Sequence, residues 1–166
     1  MEFSEVVKKR CSVRNYSDRS IPDEHLEKIV DAARLSPTAR GEEPWEFVVV
    51  TEKKALHDLG EITDHGKFLK GARAGIIVLC KDTKYYLEDG SAATENILLA
   101  ATDFGIGSCW IAGDKKAYAE EICKYINAPA GFKLVSIVSL GHPKSDSRPH
   151  SKRALSEVMH KEKFQD

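Results

Sequence analysis

Apolar residues recur along this chain with two periods, and the switches between them mark out its elements. Over residues 21–35, Leu26, Ile29, Val30 and Ala33 fall at i, i+3, i+4 and i+7, which predicts a helix with one apolar face. Pro22 and the acids after it suit a first turn, and Ser36-Pro37 stops the helix because the residue before proline is pushed out of helical space. Residues 3–9 form a shorter amphipathic segment. Residues 46–51 predict a strand buried on both faces, and 74–80 a second. Between them, 53–62 reads as helix and 67–70 as a short turn. The longest helical stretch, 89–104, carries Ala92, Ala93, Ile97, Leu98, Leu99, Ala100, Ala101 and Phe104. So little polar surface predicts burial nearly all round, in the core or against a second subunit. Gly105-Ile106-Gly107 ends it, and 108–113 follows as an extended apolar segment. A helix is expected over 115–126 and a last strand, alternating apolar and polar, over 133–140. Residues 144–153 are polar and basic and read as loop. Leu155, Val158 and Met159 then give an apolar face too short to be stable alone, so it must dock on its own body or on a partner. The pattern implies one domain, 1–166, with 144–166 as a docking tail.

Charge narrows the function classes. The 166 residues hold 25 Lys plus Arg against 26 Asp plus Glu, and 42% are hydrophobic. Such balance argues against a nucleic-acid protein, which needs a broad basic surplus, and leaves room only for a local anion site. The apolar runs 47–50, 75–80 and 97–101 are far too short to cross a bilayer, and no basic region followed by an apolar run opens the chain, so a cytoplasmic location is expected. Cys11, Cys80, Cys109 and Cys123 show no Cys-x-x-Cys pair, and the six histidines show no ligand spacing. Free thiols are expected, and no metal.

The candidate anion site is Arg10-Cys11-Ser12-Val13-Arg14. Just after a helix, alternate side chains project to one side, and two guanidinium forks flanking a small hydroxyl suit phosphate oxygens. A solvated basic turn is the other reading of these residues.

Taken in order, Arg-x-Ser-x-Arg after a helix, a helix ending in Ser-Pro-Thr-Ala, Pro-Trp leading into Phe-Val-Val-Val, an alanine-rich helix, Gly-Ile-Gly-Ser-Cys-Trp-Ile and Leu-Gly-His-Pro resemble the FMN-dependent nitroreductase family. The resemblance runs from about Ser4 to His160. It implies an α+β fold with a mostly antiparallel central sheet flanked by helices, in an intertwined homodimer with two FMN molecules at its interface. By similarity, Arg10, Ser12 and Arg14 hold the FMN phosphate and ribityl chain, and His150, Lys152 and Arg153 are candidates for a basic pair that completes the clamp. Pro37, Thr38 and Ala39 match a segment laid by the other subunit against the flavin ring, although Ser36-Pro37 also reads as a plain helix stop. Trp110, Ile111, Ala112 and Gly113 match the segment along the ring, with a backbone N–H of Ala112 or Gly113 reaching flavin N5. A buried strand is compatible with that role.

Two departures stand out. Cys11 replaces a second arginine common in relatives, and Gly41-Glu42-Glu43-Pro44-Trp45 replaces an Asn-x-Gln-Pro-Trp loop. An ionised Glu43 beside the ring would oppose the anionic reduced flavin and lower its potential; alternatively Glu43 pairs with a nearby Arg or Lys. The implied activity is ping-pong transfer from NADH or NADPH through FMN to a small acceptor such as a nitroaromatic or quinone, in a shallow slot of broad tolerance. A non-enzymatic flavin-binding or sequestering protein on the same fold is the alternative.

Overall fold

In the computed structural model, residues 1–164 are described, and Gln165 and Asp166, the last two of the expected tail 144–166, lie outside the described residues. Four strands, β1 (Trp45–Val50), β2 (Ala74–Lys81), β3 (Gly107–Ala112) and β4 (Phe132–Gly141), lie in the order β1-β2-β4-β3 with every neighbouring pair antiparallel. Among the described residues, five helices flank the sheet: α1 (Phe3–Lys9), α2 (Asp23–Arg34), α3 (Lys53–Ile62), α4 (Tyr86–Asp103) and α5 (Ala119–Tyr125). Short 3₁₀ turns occupy Ala39–Gly41, Lys67–Gly71 and Leu155–Glu157. The architecture is the expected α+β one.

Strand alternation divides the core. Ile76, Val78, Val138 and Leu140 pack under Leu26 and Ile29 of α2 and Ile97, Leu98 and Ala101 of α4. Ile77, Leu79, Ile111, Leu134 and Ile137 face Leu56 and Leu59 of α3 and Ile122 of α5. Burying one such side chain stabilises by about 1.5–3 kcal/mol, so the two central strands carry much of the fold. The α4 helix leaves only Glu88, Glu95 and Asp103 exposed. It approaches the sheet closely because Gly90 has no side chain, and a Cβ there would lie 2.6 Å from Val135 Cγ2. Thr94 then shares a hydrogen bond with Ser136 Oγ at 2.8 Å.

Several elements differ from expectation. The β1 strand, expected to be buried on both faces, pairs only with β2 and leaves Glu46 and Val49 exposed, because it is an edge. Past the exposed Lys133, the polar positions of β4 are enclosed: Ser136 and Ser139 are both fully buried. Each serine is small, and its hydroxyl meets a partner, Thr94 for Ser136 and Tyr16 for Ser139. The α4 helix starts at Tyr86, three residues before the expected 89. The helix expected over 115–126 starts at Ala119 because Lys115 takes a left-handed conformation, φ 57°, and closes a turn first. Leu155, Val158 and Met159 are 69%, 51% and 51% exposed, so among the described residues about half or more of this face is left uncovered. Among the described residues, no helix is long and apolar enough to cross a membrane, and no group of three or more His, Cys, Asp or Glu side chains is placed to hold a metal.

Candidate flavin-phosphate site

After α1 the chain becomes extended at Arg10, φ −55° and ψ 123°, and runs as an arm beside β3. The Val13 N–H donates to the Ser108 carbonyl at 2.9 Å, and Ser12 forms a parallel bridge with Ser108. Along the arm Val13 and Tyr16 are buried while Ser12 and Arg14 are exposed. The buried residues hold the arm down and the exposed ones are free to bind. Cys11 is half-buried: it packs against the cluster of Val13, Tyr16 and Ala72 and lines a separate cleft with Lys8, Lys9 and Lys144. The structure therefore sets Cys11 apart from Arg10, Ser12 and Arg14.

Those three lie near enough to Cys109 of β3 to act on its thiol. Burial pushes its thiol pKa up, while Arg14, a hydrogen bond from Ser12, and Arg10 pull it down. Among the described residues neither Arg10 nor Arg14 forms an ion pair; Arg14 instead lies 5.8 Å from the centre of the Phe68 ring. Two unneutralised guanidiniums with a hydroxyl between them make a donor set without a carboxylate, which fits a phosphate.

Beside the arm, a cavity of about 170 Å³ is lined by Arg14, His65, Phe68, Cys109, Trp110, Ile111, Ala112, Lys116 and Tyr118. It brings the arm together with the expected segment Trp110, Ile111 and Ala112. The ladder separates Ala112 from Gly113. Gly113 N–H donates to Val135 O at 3.1 Å and is spent inside the sheet. Antiparallel pairs alternate, so Cys109 and Ile111 also turn their N–H groups to β4, whereas Trp110 and Ala112 turn theirs to the outer edge. Ala112, not Gly113, offers the free donor.

The profile of the Nitroreductase family matches residues 7–82 and 80–142. The chain belongs to this family. It is 38% identical, over 98% of its length and 99% of the relative's, to an Archaeoglobus fulgidus protein provisionally named as a NADH dehydrogenase/NAD(P)H nitroreductase. A structure of the same provisional name from Parabacteroides distasonis superposes with a TM-score of 0.91 at 30% identity, covering 97% of this chain and 98% of that one. An FMN-dependent nitroreductase from Clostridium difficile gives 0.90 at 30% identity, covering 96% and 98%.

One nitroreductase chain does not gather every expected site residue. Pro37, Thr38 and Ala39 are fixed at the first turn of α4, where Ala39 N–H donates to Asp89 Oδ1 at 2.8 Å. Asp89 is a buried carboxylate, 4% exposed, in a position favoured by the helix dipole. The arm is tied to Ser108, just beyond the other end of this helix, which lies about 21 Å from Asp89 along the axis. Glu43 is exposed, with φ 47°; its N–H donates to Thr38 Oγ1 at 3.2 Å, and among the described residues its carboxylate forms no ion pair. Among the described residues, the alternative pairing with an Arg or Lys is absent. His150, Lys152 and Arg153 lie on the exposed tail, where Arg153 donates to the Glu157 carbonyl at 2.5 Å. Among the described residues no hydrogen bond or ion pair joins them to the arm.

Sequence reasoning missed Asp89, His65, Phe68, Lys116 and Tyr118. Phe68 stands in the recognised turn over 67–70, and an aromatic residue there was the available signal. Tyr118 donates its hydroxyl to the Ala112 carbonyl, a contact across a turn that no spacing rule reveals. Burial, with Asp64 adding, raises its pKa, so it remains a donor.

Proposed function

We propose that this protein is an FMN-dependent oxidoreductase that takes a hydride from NADH or NADPH and passes electrons to nitroaromatic, quinone or similar conjugated acceptors. The observation that carries this reading is the unneutralised set Arg10, Ser12 and Arg14 beside the free edge of β3. Bound there, FMN supplies the redox chemistry, with donor and acceptor using one slot in turn in a ping-pong cycle. The chain's part is to grip and orient. Arg10 and Arg14 hold the phosphate with charge-assisted hydrogen bonds, each contributing about 1.5–3 kcal/mol. Three or four such contacts with ring burial reach the roughly 8 kcal/mol of micromolar affinity. Ala112 N–H serves as the donor to the ring.

The working unit in this reading is a homodimer, in which Pro37, Thr38, Ala39 and Glu43 of one chain wall the slot of the other. The tail 144–166 then docks on the partner and brings His150, Lys152 and Arg153 to the phosphate. Support comes from the length of α4 that lies between the Asp89-bound segment and the Ser108-bound start of the arm, and from the exposed apolar residues Phe3, Leu35, Leu155, Val158, Met159 and Phe164.

The test is the absorption spectrum of protein purified without added flavin, anaerobic bleaching by each nicotinamide, and NAD(P)H oxidation with a quinone present. A yellow, bleachable dimer that turns over supports the reading. Flavin uptake without oxidation of either nicotinamide would leave a flavin-sequestering protein, and a colourless monomer that takes up no FMN overturns the proposal.

A further inference from the structure

The arm that presents Arg10, Ser12 and Arg14 is held by a device that touches no phosphate. Tyr16 is buried and donates its hydroxyl proton to the Val13 carbonyl at 2.5 Å. The same oxygen lies 2.7 Å from Ser139 Oγ. One O–H donates once, so with its proton on Val13 the tyrosine accepts from Ser139. The ring presses on Gly141, where a Cβ would fall 2.6 Å from Tyr16 Cδ1, and Val13 presses on Gly107, where a Cβ would fall 2.9 Å from Val13 Cβ. Gly107 and Gly141 are directly opposed in the β3–β4 ladder. Two missing side chains thus form a trough that receives the two anchors.

Val13 is pinned on both sides. Its N–H, in the peptide plane shared with Ser12, is fixed to Ser108 O. Its carbonyl, in the plane shared with Arg14, is fixed by Tyr16. Because peptide units are rigid planes, these two bonds set the directions in which Ser12 and Arg14 leave the arm. Resting on the FMN reading above, we infer that Tyr16 is a positioning residue, which with Ser139 and the Gly107–Gly141 trough orients the Ser12 and Arg14 donors and so sets affinity for the flavin's phosphate. Burial raises the Tyr16 pKa, which keeps the donor protonated across the working pH range.

The experiment compares FMN with riboflavin, which has the ring and ribityl chain but no phosphate, by fluorescence titration of apoprotein. Tyr16→Phe keeps the ring in its trough and removes the hydroxyl. The expected result is FMN binding weakened about tenfold with riboflavin binding unchanged, the size of one lost hydrogen bond. Ser139→Ala, which removes the hydroxyl behind Tyr16, is expected to move FMN affinity in the same direction by a smaller factor. It serves as the second probe if the tyrosine variant fails to fold. A general loosening would weaken both ligands alike, and that result, or no change in FMN affinity, overturns the inference. The two readings fail separately. If Arg14→Ala selectively weakens FMN and Tyr16→Phe does not, only the positioning role falls; if wild-type protein does not prefer FMN to riboflavin, the phosphate site itself falls.

Discussion

Tyr118, one residue before α5, donates its hydroxyl to the Ala112 carbonyl at the end of β3. Ala112 therefore has its carbonyl, in the peptide plane shared with Gly113, held by the residue that caps α5 while its own N–H faces the outer edge, so a side chain beyond the strand helps fix the strand end that carries that donor. Tyr118→Phe should weaken FMN and riboflavin together, by a few fold for about 1 kcal/mol of lost hydrogen bonding. Titration with both flavins checks this. Selective weakening of FMN would place Tyr118 with the phosphate grip instead of the ring.

Arg14 and Arg10 present charge that no carboxylate in the described chain neutralises. Loss of either guanidinium, in Arg14→Ala or Arg10→Ala, should weaken FMN by tens of fold, since about 1.5–3 kcal/mol goes with each charge-assisted contact. Stability of the apoprotein should hold or rise slightly as the like charges separate. Flavin content after exhaustive dialysis and the apoprotein's melting temperature are the two measurements. Full flavin retention by Arg14→Ala would remove the phosphate role.

How much of this was legible beforehand follows the physics of each residue. The range 3–9 for α1 and 53–62 for α3 could be read directly because local periodicity decides a surface helix. The exposed face of β1 could not, since an edge strand and a central strand carry the same Val-rich run and only the pairing order distinguishes them. The alternating pattern of β4 does not reveal the burial of Ser136 and Ser139, because their partners, Thr94 and Tyr16, are 42 and 123 residues away in sequence. The outward set Arg10, Ser12 and Arg14 was visible from spacing. His65, Lys116 and Tyr118 reach the same cavity from separate turns, which a linear pattern does not encode.

Glu43 stands exposed with a left-handed backbone and no cationic partner among the described residues. In the dimer proposed above its carboxylate lies by the partner's slot, where negative charge disfavours an anionic reduced ring. Glu43→Gln should raise the reduction potential of the bound flavin and leave the FMN dissociation constant nearly unchanged. Equilibration with reference dyes measures the potential. An unchanged value means that Glu43 does not sense the ring.

His142 follows β4 directly and helps hold the chain just after the arm, its carbonyl accepting Ser17 N–H at 2.8 Å. Burial first, then Arg19 and His25, lower its pKa from the usual 6.5, partly opposed by backbone hydrogen bonds to Ser20 and Gly105. The neighbouring His25 stacks on Phe104, ring centres 4.8 Å apart. With the folded pKa below the unfolded one, the unfolded chain binds more protons in between. The contribution of His142 is thus fully present above the unfolded pKa of about 6.5, falls as pH drops towards the lower folded value, and levels off below it. Urea midpoints at pH 8 and pH 5.5 should show lower stability at the acid end. His142→Asn, which cannot take up the proton, should flatten that difference; an equally steep loss in the variant would assign the acid sensitivity to other groups.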